Sequence, residues 1–201
     1  IAPAELNLAA AEVELAGVVG RELILRDLIQ AEADTCDVLI MDCGPSLGVL
    51  TLNALAAANE VIIPLQPHFL ALHGLAKLFE TTGLVARRLN PGLRVSAVVL
   101  TLCDANTRLA QEVITDLTAF LERARTTTTP WSQAKLMSTR IRRNIKLAEC
   151  PSFGRSIFTY AATSHGAEDY ARLAQEVLAL AGPAPKPAAE QTAPMMVPAG
   201  V

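Results

Sequence analysis

Residues 38–52 read VLIMDCGPSLGVLTL, an apolar run closed by an aspartate and followed by a Gly-Pro-Ser-Leu-Gly turn leading into a second apolar stretch. A short run of this kind, bounded by turn signals, predicts a central strand whose C-terminal end opens onto a crevice. Asp42 then faces that crevice. A carboxylate there can hold Mg²⁺, through a water, against a phosphate chain, and the turn after it can respond to loss of the terminal phosphate. Any doubly wound domain can also end a strand in Asp, so the rest of the chain has to decide between the two readings.

The elements needed to position Asp42 are legible along the chain. Strand-like runs fall at 38–42, 60–65, 95–101, 136–141 and 156–160, with helical patterns at 6–19, 22–33, 50–59, 70–89, 108–125 and 165–181. From residue 38 on, strands alternate with helices. Such alternation predicts βαβ units and a mostly parallel sheet with helices on both faces. Residues 125–132, rich in Thr with Pro130, predict a loop inserted before a strand, and Trp131 is expected to pack it down. After Ala181 the composition changes to Gly, Pro and Ala, so residues 1–181 read as one α/β unit and 182–201 as a flexible tail.

With 201 residues, 51% hydrophobic and 18% charged, the chain has a globular composition and is long enough for a substantial core. The net charge of −3 is unevenly spread: residues 121–146 hold seven Lys or Arg against one acid, Glu122, which predicts a basic patch. The four cysteines are widely spaced and have no metal-ligand pattern with the three histidines, so they read as reduced, mostly packed thiols. His68, His73 and His165 read as surface or capping residues. No stretch of 18 apolar residues lacks charges, so no membrane span is expected. Gly44-Pro45-Ser46-Leu47-Gly48 matches the letters of the G-x-S-x-G elbow, but no partner His is implied, so Ser46 is not read as a hydrolase nucleophile.

Three segments, DVLIMDCGPSLGVLTLNALAAANEVIIPLQPHFLALHGL from Asp37, TLCDANTRLAQEV from Thr101 and IRRNIKLAECPSFGRSIFTYAATSHGAEDYARLAQEV from Ile141, closely resemble ParA-type partition ATPases of the Soj/ParA branch. The resemblance runs in order from about residue 3 to about 181. It implies a three-layer P-loop NTPase-like fold and a nucleotide-switched homodimer. It also implies ATP and Mg²⁺ as cofactors, and a cytoplasmic, nucleoid-associated protein that binds duplex DNA without sequence preference and is stimulated by a ParB-like centromere-binding partner.

Residue by residue, the resemblance assigns Asp42 to the Walker B aspartate, holding Mg²⁺ through water, and Gly44, Pro45, Ser46, Leu47 and Gly48 to switch II. Gly44 stands where relatives commonly carry a first proline, which loosens the turn. Pro64 and Gln66 fall at the end of the next strand, where Pro64 either contributes to the site or only stops the strand. Thr101 and Asp104 fall where the adenine pocket begins. Ile141, Arg142, Arg143 and Asn144 match the I-P-R-N loop flanking the base, with Arg142 in place of proline; Arg143 and Asn144 are the favoured base contacts. For DNA, one arginine of relatives aligns with Asn106, so that contact is absent, and another with Lys146. Arg108, Arg140, Arg142 and Arg155 are further candidates.

No G-x-x-x-x-G-K-[ST] segment or two-lysine variant of it occurs in the 201 residues, and the chain begins with Ile and helix-like segments. It reads as the C-terminal part of a longer protein, and residues 1–201 alone are not expected to hydrolyse ATP, because backbone N–H groups of a phosphate loop cannot be replaced by Asp42. A MinD-like membrane-cycling ATPase is the second reading, disfavoured by a Pro/Ala-rich tail with a single base, Lys186. A non-catalytic DNA- or protein-binding remnant is the third.

Overall fold

A computed structural model of the chain describes residues 3–5, 7–32, 36–104 and 107–181. Asn106 and the tail at 182–201 lie outside the described residues. Three strands, β1 (Glu60–Leu65), β2 (Arg94–Cys103) and β3 (Lys135–Arg142), form a parallel sheet in the order β1-β2-β3. Eight α-helices surround them in the described residues: α1 (Leu8–Glu14), α2 (Ile24–Ala31), α3 (Val49–Ala57), α4 (Phe69–Arg88), α5 (Arg108–Ala124), α6 (Ile145–Glu149), α7 (Ile157–Tyr160) and α8 (His165–Ala181). The expected α/β class and parallel sheet are therefore present.

The central strand explains the layering. Side chains alternate across a strand, and those of β2 are buried on both faces, as a parallel sheet requires. Val98 and Leu100 join Ile63, Leu65, Phe79, Leu117 and Leu121 on the face covered by α4 and α5. Ala97 and Val99 join Met137 and Ile141 on the other face, against Leu173, Val177 and Leu180 of α8. The inserted loop before β3 belongs to the first face. Its Pro130 carbonyl accepts the Val95 N–H at 2.9 Å, and Trp131 packs on Phe79 with ring centroids 5.0 Å apart.

Helix starts follow the capping rules. His68 caps α4, its Nδ1 accepting the Ala71 N–H at 3.3 Å, and Thr107 caps α5 by accepting the Ala110 N–H at 3.2 Å. Asn90 ties the end of α4 to α3, donating to the carbonyls of Leu55 and Ala58 at 3.1 and 2.7 Å.

Two expected strands are corrected. Residues 38–42 form no ladder with any described strand, and Val38, Leu39 and Ile40 are 67%, 52% and 87% exposed. A strand exists only as a member of a ladder, and the described residues offer this run no partner. Residues 156–160 coil instead into the short helix α7, with Ser156 as N-cap and Ile157 buried against Cys150 and Ala167. Pro64 lies inside β1, paired in register with Val99, and does not stop the strand at its own position. β1 is an edge strand among the described residues, and an edge strand tolerates proline because no further strand there calls on its missing N–H. The thiols also depart from expectation: Cys103 and Cys150 are buried, but Cys36 and Cys43 are exposed.

Candidate functional site

Because the three strands are parallel, their C-terminal ends share one edge, and β2 and β3 end side by side with Cys103 in register with Arg142. A cleft of about 700 Å³ opens there, lined by Cys103, Asp104, Ser138, Thr139, Arg140, Arg142, Arg143, Asp169 and Arg172. Crevices at this edge of a parallel sheet are the usual place for a ligand in α/β folds. Of the sequence-predicted nucleotide residues, the cleft gathers Asp104 and Arg143. Thr101 lies on β2 just before it. Asn144 follows Arg143, but its Oδ1 is used as the cap of α6, accepting the Lys146 N–H at 2.8 Å.

The strand end leading into the cleft carries backbone strain. Leu102 has φ +48, the one non-glycine among the described residues in the left-handed region. An L side chain there costs roughly 1–2 kcal/mol, and such strain concentrates at ligand sites. The twist coincides with a register shift between Leu100 and Cys103 and aims Cys103 and Asp104 into the opening. The Cys103 thiol is pushed up by burial, opposed by the charge of Arg140, so it is protonated at neutral pH and is not a nucleophile.

Arg142 is held by α8. Its Nε donates to both oxygens of Asp169 at 3.1 and 3.0 Å, and its Nη2 reaches Asp169 at 2.6 Å and Glu168 at 3.1 Å. Its main-chain N–H also donates to Asp169 at 3.0 Å. Asp169 is 3% exposed. Burial alone raises a carboxyl, but the hydrogen bonds and charge of Arg142 outweigh it and hold Asp169 below the usual carboxylate range. Sequence reasoning missed Asp169. The available signal was its spacing of seven from Glu176, which puts both acids on one helix face.

Asp42, Gly44 and Pro45 lie in the unpaired segment and do not line the cleft. Gly48, which caps α3, is packed so closely on the Glu12 carboxylate that a β-carbon there would collide with it. The Cys43 thiol, although exposed, is raised by partial desolvation and by the charge of Asp42 beside it. For Mg²⁺, these residues contribute one exposed carboxylate, and no group of three potential ligands occurs among the described residues.

The candidate DNA-contacting cations are not equivalent. Arg140 and Arg155 are exposed and form no ion pair among the described residues. Arg108 pairs with Glu112 at 3.1 Å on the surface of α5. Lys146 bonds Glu149 at 2.8 Å, and its Nζ lies 5.9 Å from the centroid of the Tyr160 ring. Arg142 is committed to α8. No described helix is long and apolar enough to cross a membrane.

A family model described as an AAA domain matches residues 1–95. The chromosome-partitioning ATPase Soj of Treponema pallidum is 42% identical over 180 residues, covering 90% of this chain and 67% of that protein. The chromosome partitioning protein ParA of Myxococcus xanthus is 39% identical over 178 residues, 89% of this chain and 59% of its own length. The sporulation initiation inhibitor protein Soj of Bacillus subtilis is 40% identical over 179 residues, with 89% and 66% covered. The chain thus spans about two thirds or less of these relatives. A solved structure of cobyrinic acid a,c-diamide synthase from Mycobacterium smegmatis, with bound ATP analog and magnesium, matches with a TM-score of 0.69 at 33% identity, over 92% of this chain and 64% of that one. The same protein with bound ADP and magnesium matches with a TM-score of 0.67 at 32% identity, over 88% and 60%.

Proposed function

Since the chain belongs to the Soj/ParA family of chromosome-partitioning ATPases, we propose that the full-length protein is an ATP-dependent partitioning switch for a chromosome or plasmid. ATP binding drives homodimerisation and sequence-independent binding to duplex DNA, and a ParB-like partner stimulates hydrolysis. The observation that carries this reading is the cleft at the C-terminal ends of β2 and β3, where Asp104 and Arg143 converge behind the strained Leu102.

In this reading Thr101, Asp104, Arg143 and Asn144 surround the base of ATP, Arg143 being, like Arg140, a cleft cation with no ion pair among the described residues. Its planar guanidinium suits stacking on a purine. Asp42 faces the phosphate end, where Mg²⁺, when bound, neutralises charge on the phosphate oxygens. Gly44 and Pro45 form the turn that moves when the terminal phosphate is lost. The phosphates themselves need a loop of backbone N–H donors that the 201 residues do not contain. Arg108, Arg140, Lys146 and Arg155 supply phosphate contacts to DNA, with Arg142 a lesser contributor because α8 already holds it. A cytoplasmic location on the nucleoid follows from that activity.

The test is ATP turnover by the full-length protein against residues 1–201 alone. Turnover in the first, abolished by Asp42→Ala, and none in the second is the expected result. Mg²⁺-dependent turnover by residues 1–201 that vanishes with Asp42→Ala would overturn the division of labour. No turnover in the full-length protein would favour a non-catalytic binding module.

A further inference from the structure

The contact between Arg142 and Asp169 fixes more than an ion pair. A surface pair orders two side chains and contributes little. Here one buried carboxylate takes the main-chain N–H and the guanidinium of the same residue. Arg142 ends β3, and the chain passes from it directly through Arg143 to Asn144, which caps α6. The path of Arg143 across the cleft is therefore set by where Asp169 holds residue 142.

A second clasp on the same helix face supports this. β3 is an edge strand, and its outward N–H groups have no further strand to pair with among the described residues. Glu176, two helical turns beyond Asp169, accepts the N–H groups of Ser138 and Thr139 at 2.7 and 2.9 Å. Consecutive N–H groups of a regular strand point to opposite sides, so both can reach one carboxylate only because β3 bulges there, at the register shift after Val98. α8 thus anchors β3 at its bulge and at its end.

We propose that Asp169 is a positioning residue for the nucleotide base: through Arg142 it holds the Arg143–Asn144 main chain at the mouth of the cleft. This rests on the reading that the cleft receives the base of ATP. It assigns Arg142 to α8 and leaves base contact to Arg143.

The test compares affinity for ATP with affinity for inorganic tripolyphosphate, which has no base, in the full-length protein and its Asp169→Asn, Arg142→Lys and doubly substituted forms. Asp169→Asn is expected to weaken ATP binding about tenfold while tripolyphosphate stays within about twofold, because the phosphate end is untouched. Arg142→Lys is expected to fall between parent and Asp169→Asn, since the full carboxylate remains to accept the main-chain N–H and a cation, whereas Asn keeps one acceptor oxygen and turns a donor toward the guanidinium. The double variant is expected to match Asp169→Asn, since both changes act through one contact. Amide hydrogen exchange at residues 142–144 should accelerate at least about tenfold in Asp169→Asn.

Equal loss of both ligands would overturn the proposal in favour of a general structural role. Unchanged ATP affinity despite faster exchange would overturn it too. Parent protein that binds ATP no better than tripolyphosphate would instead sink the reading of the cleft as a base site. In that event the exchange measurement, which needs no nucleotide, still judges the clasp: unchanged exchange at 142–144 in both Asp169→Asn and Arg142→Lys rejects it.

Discussion

Asn53 of α3 accepts the main-chain N–H of Leu25 on Oδ1 at 3.0 Å and donates from Nδ2 to the Arg21 carbonyl at 2.7 Å. One buried amide thereby satisfies a donor and an acceptor at the start of α2. It pins the N-terminal helices to the helix that follows the Gly44–Gly48 turn. Asn53→Leu removes these bonds, and a third from Nδ2 to the Val49 carbonyl at 2.9 Å, while keeping the volume. The expected cost is about 2–3 kcal/mol, read as a lower urea midpoint with an unchanged slope.

What the sequence made legible was local. α4, α5 and α8 carry apolar residues at helical spacing over 17 or more residues, and β2 is a continuous apolar run, so their existence needed no knowledge of partners. The run at 38–42 is apolar like the middle of β2, but a strand depends on what lies beside it, and composition does not report that. Residues 156–160 carry Ile157, Phe158 and Tyr160, good strand formers, yet Ser156 caps a helical turn that buries Ile157, and packing overrides propensity. At the cleft, Asp104 and Arg143 could be placed from the strand ends. Asp169 could not, because its partner is 27 residues away, and its spacing from Glu176 shows only that the two acids share a helix face, not what that face meets. Nothing in the residue type marks Leu102 as left-handed.

Leu102 gives a prediction of the opposite sign from most substitutions. At φ +48 its β-carbon is strained, and with 42% exposure its side chain contributes little burial. Asn tolerates this region better. Leu102→Asn is therefore expected to stabilise the fold by up to about 1 kcal/mol, seen as a raised thermal midpoint. A lowered midpoint would show that the exposed leucine packs more usefully than its exposure implies.

Acid should loosen the clasp of α8 on β3. Burial raises Glu176, but the N–H groups of Ser138 and Thr139 more than reverse this, so it is held below the usual carboxylate range, as Asp169 is. Groups depressed on folding add stability that is complete above the unfolded value, about pH 4 to 4.5, and is lost as pH falls through the folded value. Glu168, depressed chiefly by its hydrogen bond from Arg142, acts in the same direction. Thermal midpoints measured from pH 7 to pH 3 should fall below about pH 4.5, and the fall should be shallower in a Glu176→Gln variant. An equally steep fall would remove Glu176 from the account.

Trp131 is the only tryptophan of the chain and packs tilted on Phe79, with ring centroids 5.0 Å apart, and Phe79 in turn stacks on Phe120 at 5.4 Å. The Thr-rich loop is thus fastened to the core by the Trp131 ring and by the Val95 N–H bond to the Pro130 carbonyl. Trp131→Ala is expected to cost about 2–4 kcal/mol, somewhat under the range for a fully buried aromatic because the ring is partly exposed. Its fluorescence should shift to the red in the same transition as the loss of helical circular dichroism. A fluorescence change well below that transition would mean the loop detaches before the sheet unfolds.

Lys146 and Glu149 give the sharpest test of the DNA surface. The Glu149 carboxylate neutralises Lys146 at 2.8 Å and also accepts the Tyr160 hydroxyl at 2.9 Å, so a phosphate must compete with it for the same ammonium. Lys146→Glu in the full-length protein should weaken binding to duplex DNA of any sequence and flatten the dependence of log K on log salt by about one unit, the loss of one phosphate contact. Glu149→Gln should do the reverse, releasing the lysine and strengthening DNA binding at low salt with a slope no shallower than the parent's. If Lys146→Glu leaves the slope unchanged and Glu149→Gln leaves the affinity unchanged, the pair only caps α6, and the contacts with DNA pass to Arg140 and Arg155, which face solvent without a competing acid among the described residues.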